Sequence, residues 1–160
     1  MKQSLDTRCI GKSYLALIRN SLGSQIFQNF YLTIDGEKKD VMQGGVLSCA
    51  FFVSTITTIL GLTQRMHGTV QGVLQDLKNS GWQEIKDVRP GAILVWETVI
   101  DYDDEIHSHI GFCLDDTTAI SNSSMQKVPV QHHITFAGTR NIVSILWHPL
   151  ISEDAESQLS

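Results

Sequence analysis

Long apolar runs are missing from this 160-residue chain. No stretch approaches the ~20 consecutive apolar residues of a membrane-spanning helix, so no membrane association is expected. Met1 to Thr7 is polar and lacks the apolar core of a signal peptide, which points to a cytoplasmic location, with export by a signal-independent route as the alternative. Cysteine is scarce. The three present, an odd number at irregular spacing, form neither a disulfide framework nor a CxxC metal motif. Cys9, Cys49 and Cys113 therefore read as three reduced thiols. Basic charge is short as well, with 12 Lys and Arg against 17 Asp and Glu and a formal net charge of −5. Nucleic-acid binding is not expected, because no basic face is available to offset phosphates. Internal repeats and low-complexity tracts are absent. What remains, 42% hydrophobic and 18% charged residues, suits one globular domain over residues 1–151, with an acidic tail at 152–160 expected to fray.

The first part of that domain has helical periodicity. Tyr14, Leu17, Ile18 and Leu22 predict an amphipathic helix over 12–22, stopped at Gly23. Asp35 to Asp40 reads as a polar loop. Ser48 is a candidate N-cap for a helix from Cys49 to Leu60 ending at Gly61, apolar nearly all round and so expected in the middle of the domain. Val70 to Asn79 is a further helix. Beyond Pro90-Gly91 the pattern changes to short β-rich runs: Ala92–Trp96, His109–Leu114, Thr118–Asn122 and Asn141–Trp147. Helices followed by antiparallel strands make an α+β domain. Trp82, Trp96 and Trp147 are read chiefly as core, although they could line a binding groove.

Cys49 stands out because it opens its helix, where unpaired N–H groups and the dipole favour a thiolate. Gly44-Gly45 just before it would let the backbone approach a ligand. His109 begins a strand whose Gly111, on the same face, would admit close packing beside the imidazole. Asp115 to Thr118 is the turn into the next strand. Closed as a two- or four-residue loop it sets Asn122 on the face of His109, and closed with three residues it sets Ser121 there. Chemistry favours Asn122, whose carboxamide can fix the imidazole tautomer. Thiol, imidazole and carboxamide are the groups a cysteine hydrolase needs. Cys113, with no helix terminus beside it, reads as core packing.

Gln43-Gly44, Ser48-Cys49 and Phe51-Phe52, with Ile120-Ser121-Asn122-Ser123, resemble the glutamine-glycine, serine-cysteine and asparagine-serine elements of papain-like cysteine peptidases. The compact order is more similar to the bacterial NlpC and CHAP branch of that superfamily. Ser48-Cys49-Ala50-Phe51-Phe52-Val53-Ser54, Arg89-Pro90-Gly91 through Trp96, and Ser108-His109-Ile110-Gly111-Phe112 match its layout. The resemblance implies a papain-like fold in which the nucleophile helix packs on an antiparallel sheet. It makes Cys49 the nucleophile, His109 the base, Asn122 its orienter and Gln43 an oxyanion donor, with Ser48 on the substrate side. It implies no cofactor, and as substrate a peptide or peptidoglycan fragment cut through an acyl-enzyme. A cytosolic peptidase or isopeptidase acting on another amide is the alternative. Leu47 and Ala92 stand where the family carries aspartate, and a literal length alignment puts Ser121 at the third position.

Two rival readings come from other classes. His107, His109, His132 and His133 with Asp101, Asp103, Asp104 and Glu105 could ligate a metal, although adjacent histidines point to opposite sides of a strand. A non-catalytic binding module would carry a thiol of ordinary reactivity. His132 and His133, near Thr135-Phe136, could instead shape the cleft. Oligomeric state is not legible in the sequence.

Overall fold

The computed structural model describes residues 9–100 and 106–151. The acidic positions 101–105 and the tail 152–160 lie outside them. Helix α1 (Ile10–Asn20) carries Tyr14 and Ile18 one turn apart and fully buried. The Tyr14 hydroxyl donates to the Gly91 carbonyl at 2.9 Å, and its ring meets Phe112 and Trp82 edge-on. The one polar atom of the phenol is thereby satisfied inside the core.

The expected loop at 35–40 is a hairpin, β1 (Tyr31–Ile34) and β2 (Glu37–Asp40). Its two-residue turn is Asp35-Gly36, with φ of 52° and 81°. Asp-Gly is a favoured pair for such a turn, but the wholly polar β2 has no apolar alternation to mark it as a strand. Asp40 at its end organises the segment leading to the next helix. Its carboxylate accepts from the backbone N–H groups of Phe30, Met42 and Gly44 and from the Asn29 amide. Loss of hydration is the largest single effect and would raise the carboxyl, but these four bonds together outweigh it and hold the carboxyl at about 2. The 3₁₀ turn Gln43–Gly45 is pinned in this way.

Helix α2 (Cys49–Ile59) ends one residue earlier than expected and buries Ala50, Phe51, Phe52, Val53 and Ile56. Ser48 occupies the N-cap position but does not cap. Its φ/ψ of −88°/4° makes no side-chain cap bond, since an extended conformation is what aims a cap side chain at the first turn. Helix α3 (Val70–Asn79) has a working cap, Thr69, which accepts from the Gly72 N–H at 3.1 Å.

Strands β3 (Gln83–Glu84), β4 (Ile93–Ile100), β5 (Ile106–Cys113), β6 (Thr118–Asn122), β7 (Pro129–His133) and β8 (Ile142–Trp147) form one sheet in the order β3-β8-β4-β5-β6-β7. Every neighbouring pair is antiparallel. Only β6 has the bounds that the sequence pattern predicts, while β4 and β5 reach further toward their shared connection. β7 escapes the pattern because it is an edge strand, opened by a proline at a position where an edge tolerates one. The architecture of the described residues is mixed α+β, three α-helices and a 3₁₀ turn with an antiparallel sheet. Phe52 of α2 meets Phe112 of β5 edge-on at 5.2 Å, so helix and sheet share one core. Trp82, Trp96 and Trp147 are all buried in it. No helix among the described residues is long and apolar enough to cross a membrane.

Asp76 of α3 closes the loop between the last two helices. Its carboxylate accepts from the N–H groups of Gln64 and Arg65, from the Ser80 hydroxyl and from His67 Nε2, the last at 2.7 Å. Burial alone would raise its pKa, and these bonds reverse the sign and lower it. Replacing it with alanine strands several donors at once, so Asp76→Ala should cost about 2 kcal/mol or more. The urea midpoint of the variant checks this. An unchanged midpoint would mean that the loop is held elsewhere.

Candidate active site

β5 is the strand on which the site is built. Ile110 and Phe112 are turned to the core, while His109, Gly111 and Cys113 alternate with them. Cys49, at the first position of α2, opens onto the same cleft as His109, and the nearby Ile110 N–H favours its charged form. The ladder between β5 and β6 consists of Phe112↔Ile120 and Cys113↔Ala119, so it stops short of His109. Helix terminus, imidazole and the diverging strands enclose a cleft of about 700 Å³. Cys49, His109, Ser121, His132, Phe136 and Arg140 all open onto it.

The loop Asp115-Asp116-Thr117 closes with three residues, and continuing the observed register sets Ser121 opposite Gly111. Asn122 therefore falls on the other face, contrary to the expectation that its carboxamide orients His109. One residue of register exchanges the faces of a whole strand. The Asn122 amide donates instead to the Gly45 carbonyl at 2.8 Å, with its Oδ1 buried and lacking a protein partner. The imidazole of His109 meets Ser121: Nε2 and Oγ are 2.8 Å apart. Ser121 Oγ lies 2.7 Å from His132 Nε2, so three neighbouring strands contribute one continuous polar row.

Gly111 makes the row fit. A Cβ there would lie 2.6 Å from the Ile120 carbonyl oxygen and 2.7 Å from Ser121 Cβ. Aromatic rings surround the imidazoles. Trp96 packs on both His109 and His132, its indole N–H tied to the Ile134 carbonyl at 2.7 Å. Phe136 stacks on His132 with centroids 4.0 Å apart. It is brought there by a turn in which Phe136, Ala137 and Gly138 all have positive φ. Such backbone is costly for the two non-glycine residues.

Gln43, the expected oxyanion donor, is exposed, and neither it nor Ser48 lines the cleft. The Ser48 hydroxyl is fully buried with no protein partner. Gly45 serves close packing inside the protein and not a ligand, since a Cβ would lie 2.6 Å from the Lys127 carbonyl oxygen. Arg140, which no motif marks in the sequence, lines the cleft. Its guanidinium donates to the Glu97 carbonyl at 2.9 Å and to the His107 carbonyl at 3.0 Å.

A thiolate was the expectation for Cys49. Burial instead raises its thiol, outweighing the backbone N–H groups of Ile110 and Ala50 and the Arg140 charge, which all lower it. Burial likewise pushes His109 down to about 3, helped by the Arg140 charge and, in acid, by protonated His132. Both groups are thus neutral at pH 7 in the open cleft. Cys113 is buried, donates to the Asp115 carbonyl and is pushed up to about 11 by burial and the nearby Asp115 and Asp116 carboxylates, in keeping with core packing. Among the described residues no group of three or more His, Cys, Asp or Glu is placed to hold a metal. The aspartates of the rival metal reading fall outside them.

Compared with known proteins, the chain matches no family model and no curated sequence.

Proposed function

We propose that the protein is a cysteine hydrolase of papain-like fold that cleaves amide bonds through a thioester acyl-enzyme. The observation that carries this reading is a cysteine at the head of a buried helix and a histidine held by a polar row, both facing one cleft. In this reading His109 takes the Cys49 proton as the sulfur attacks the substrate carbonyl, and returns it to the leaving amine. Water then attacks the thioester with His109 again as base. The first-turn N–H groups of α2 supply the donors for the oxyanion, a role that Gln43, outside the cleft, leaves to the backbone.

Since neither group ionises alone, proton transfer belongs to the reaction and not to the resting protein. The iodoacetamide labelling rate of Cys49 should accordingly keep climbing as pH rises through 7–9, without the neutral plateau of a preformed ion pair. A plateau at pH 6–8 would mean that the thiolate exists before substrate arrives.

The substrate we favour is a peptidoglycan stem peptide or cross-link. Digesting purified peptidoglycan beside a general peptide library, with Cys49→Ala as control, tests both chemistry and substrate. New muropeptides made only by the unaltered protein support the wall reading. Cleavage confined to ordinary peptides points to a peptidase or isopeptidase, and no cleavage in either arm favours a binding module.

A further inference from the structure

The row His109–Ser121–His132 has only one consistent arrangement of protons. His132 Nδ1 lies 2.8 Å from the His133 carbonyl oxygen, which can only accept, so Nδ1 carries the hydrogen. In neutral His132 the other nitrogen, Nε2, is then a lone pair. It accepts from the Ser121 hydroxyl 2.7 Å away. A serine hydroxyl has one hydrogen to give. With that hydrogen committed to His132, Ser121 Oγ can meet His109 Nε2 at 2.8 Å only by accepting from it. His109 therefore carries its proton on Nε2 and keeps Nδ1 as the basic nitrogen.

From this chain of bonds we infer that His132, acting through Ser121, sets the tautomer of His109 and so makes Nδ1 the base of the reaction. The inference rests on the proposed thiol chemistry for its catalytic meaning but not for its geometry. Both Ser121 and His132 are positioning residues, since neither needs to touch substrate. During turnover Nδ1 gains the Cys49 proton and later gives it to the leaving amine, while Nε2–H stays on Ser121 throughout. No proton has to travel along the row.

Protonating His132 reverses the arrangement. Its Nε2–H then donates to Ser121 Oγ, the serine hydrogen turns to His109 Nε2, and the His109 proton moves to Nδ1. That form cannot accept from a thiol. The titratable and charged groups that share the cleft with His132 are His107 and His109 on β5, Cys49 at the head of α2 and Arg140 on the turn before β8, with His133 next to it on its own strand. No carboxylate among the described residues lines the cleft to favour the charged form. Burial lowers the His132 pKa from its ordinary value, so the neutral arrangement holds at pH 7 and the reversal belongs to acid solution.

Imidazole ¹⁵N spectra of the histidine-labelled, substrate-free protein read the tautomers directly. At pH 7.5 His109 should show a protonated Nε2 and a lone-pair Nδ1, and His132 the opposite pattern. Ser121→Ala should leave His109 a mixture of tautomers and lower kcat roughly 10²-fold with little change in KM. His132→Gln, whose carbonyl can accept the serine hydrogen, should retain the wild-type tautomer and most of the activity. His132→Lys, a pure donor, should invert the tautomer and lose activity while the fold stays intact by circular dichroism. A His109 proton found on Nδ1 in the wild-type protein, or a tautomer unmoved by Ser121→Ala, would overturn the inference even if the protein hydrolyses amides. The expected tautomers in a protein that cleaves nothing would leave the wiring standing and remove the hydrolase reading instead.

Discussion

Cys49→Ala and His109→Ala should each lower turnover at least about 10³-fold, measured on whichever amide substrate the unaltered protein cleaves. In the proposed reaction the first removes the atom that forms the acyl-enzyme and the second the imidazole on the same cleft whose Nδ1 the row leaves basic. Neither should unfold the domain. Cys49 is only partly buried, so its alanine variant loses little packing. His109 packs on Trp96 and Phe136 and should cost more, which His109→Gln controls for by keeping bulk without a comparable base. Combining Cys49→Ala with His109→Ala should add little, because the two act as one unit. A further contrast separates the two faces of β6: Ser121→Ala should damage turnover more than Asn122→Ala, since only Ser121 reaches the imidazole. Residual activity above a tenth in Cys49→Ala would sink the nucleophile assignment whatever the substrate proves to be.

The second large effect is structural. Gly111→Ala should destabilise the domain by about 3 kcal/mol or more. The added methyl would stand 2.6 Å from the Ile120 carbonyl oxygen, 2.7 Å from Ser121 Cβ and 3.1 Å from Trp96 Cζ3. Two of these are backbone or the first side-chain carbon of a paired strand, which cannot swing aside as a flexible tip can. Relief has to come from moving β6 away from β5, and β6 carries Ser121. The variant should therefore lose activity even in its folded fraction, with the His109–Ser121 bond lengthened. Thermal unfolding gives the first quantity, and turnover normalised to folded protein gives the second. A change in stability below 1 kcal/mol with full activity would show that the strands are less tightly apposed than the structure has them.

Both effects arise where local pattern stops being enough. α3 was legible to the residue at Val70–Asn79, and α2 nearly so, since apolar periodicity and glycine stops are local quantities. Cys49 at a helix start, His109 on a strand and Gly111 as a packing gap are readable from sequence spacing in the same way. The hairpin at β1 and β2 was not legible because its second strand is polar throughout and fully or largely exposed. Edge strand β7, opened by a proline, is hidden as well, so nothing in the pattern brings His132 to the site as a defined partner.

Asn122 shows the limit most clearly. Its chemistry suits an orienting role, and its position differs from that of Ser121 by one residue. Which of them faces His109 depends on whether the Asp115 turn closes with two, three or four residues, and on how β6 then docks against β7. These are pairing energies between distant segments, invisible in a local window. Arg140 is placed by carbonyls of two other strands, Glu97 and His107, and no spacing encodes that. The ionisation of the site was decided at the same level. A helix terminus favours a thiolate, which sequence position alone announces. How much protein surrounds the sulfur and the imidazole is set by the packing of helix on sheet, and there burial outweighs the terminus. The sequence by itself determined the candidate residue types and most of the elements that carry them. Tertiary structure chose their partners and their charges, because register and desolvation exist only once the strands have met.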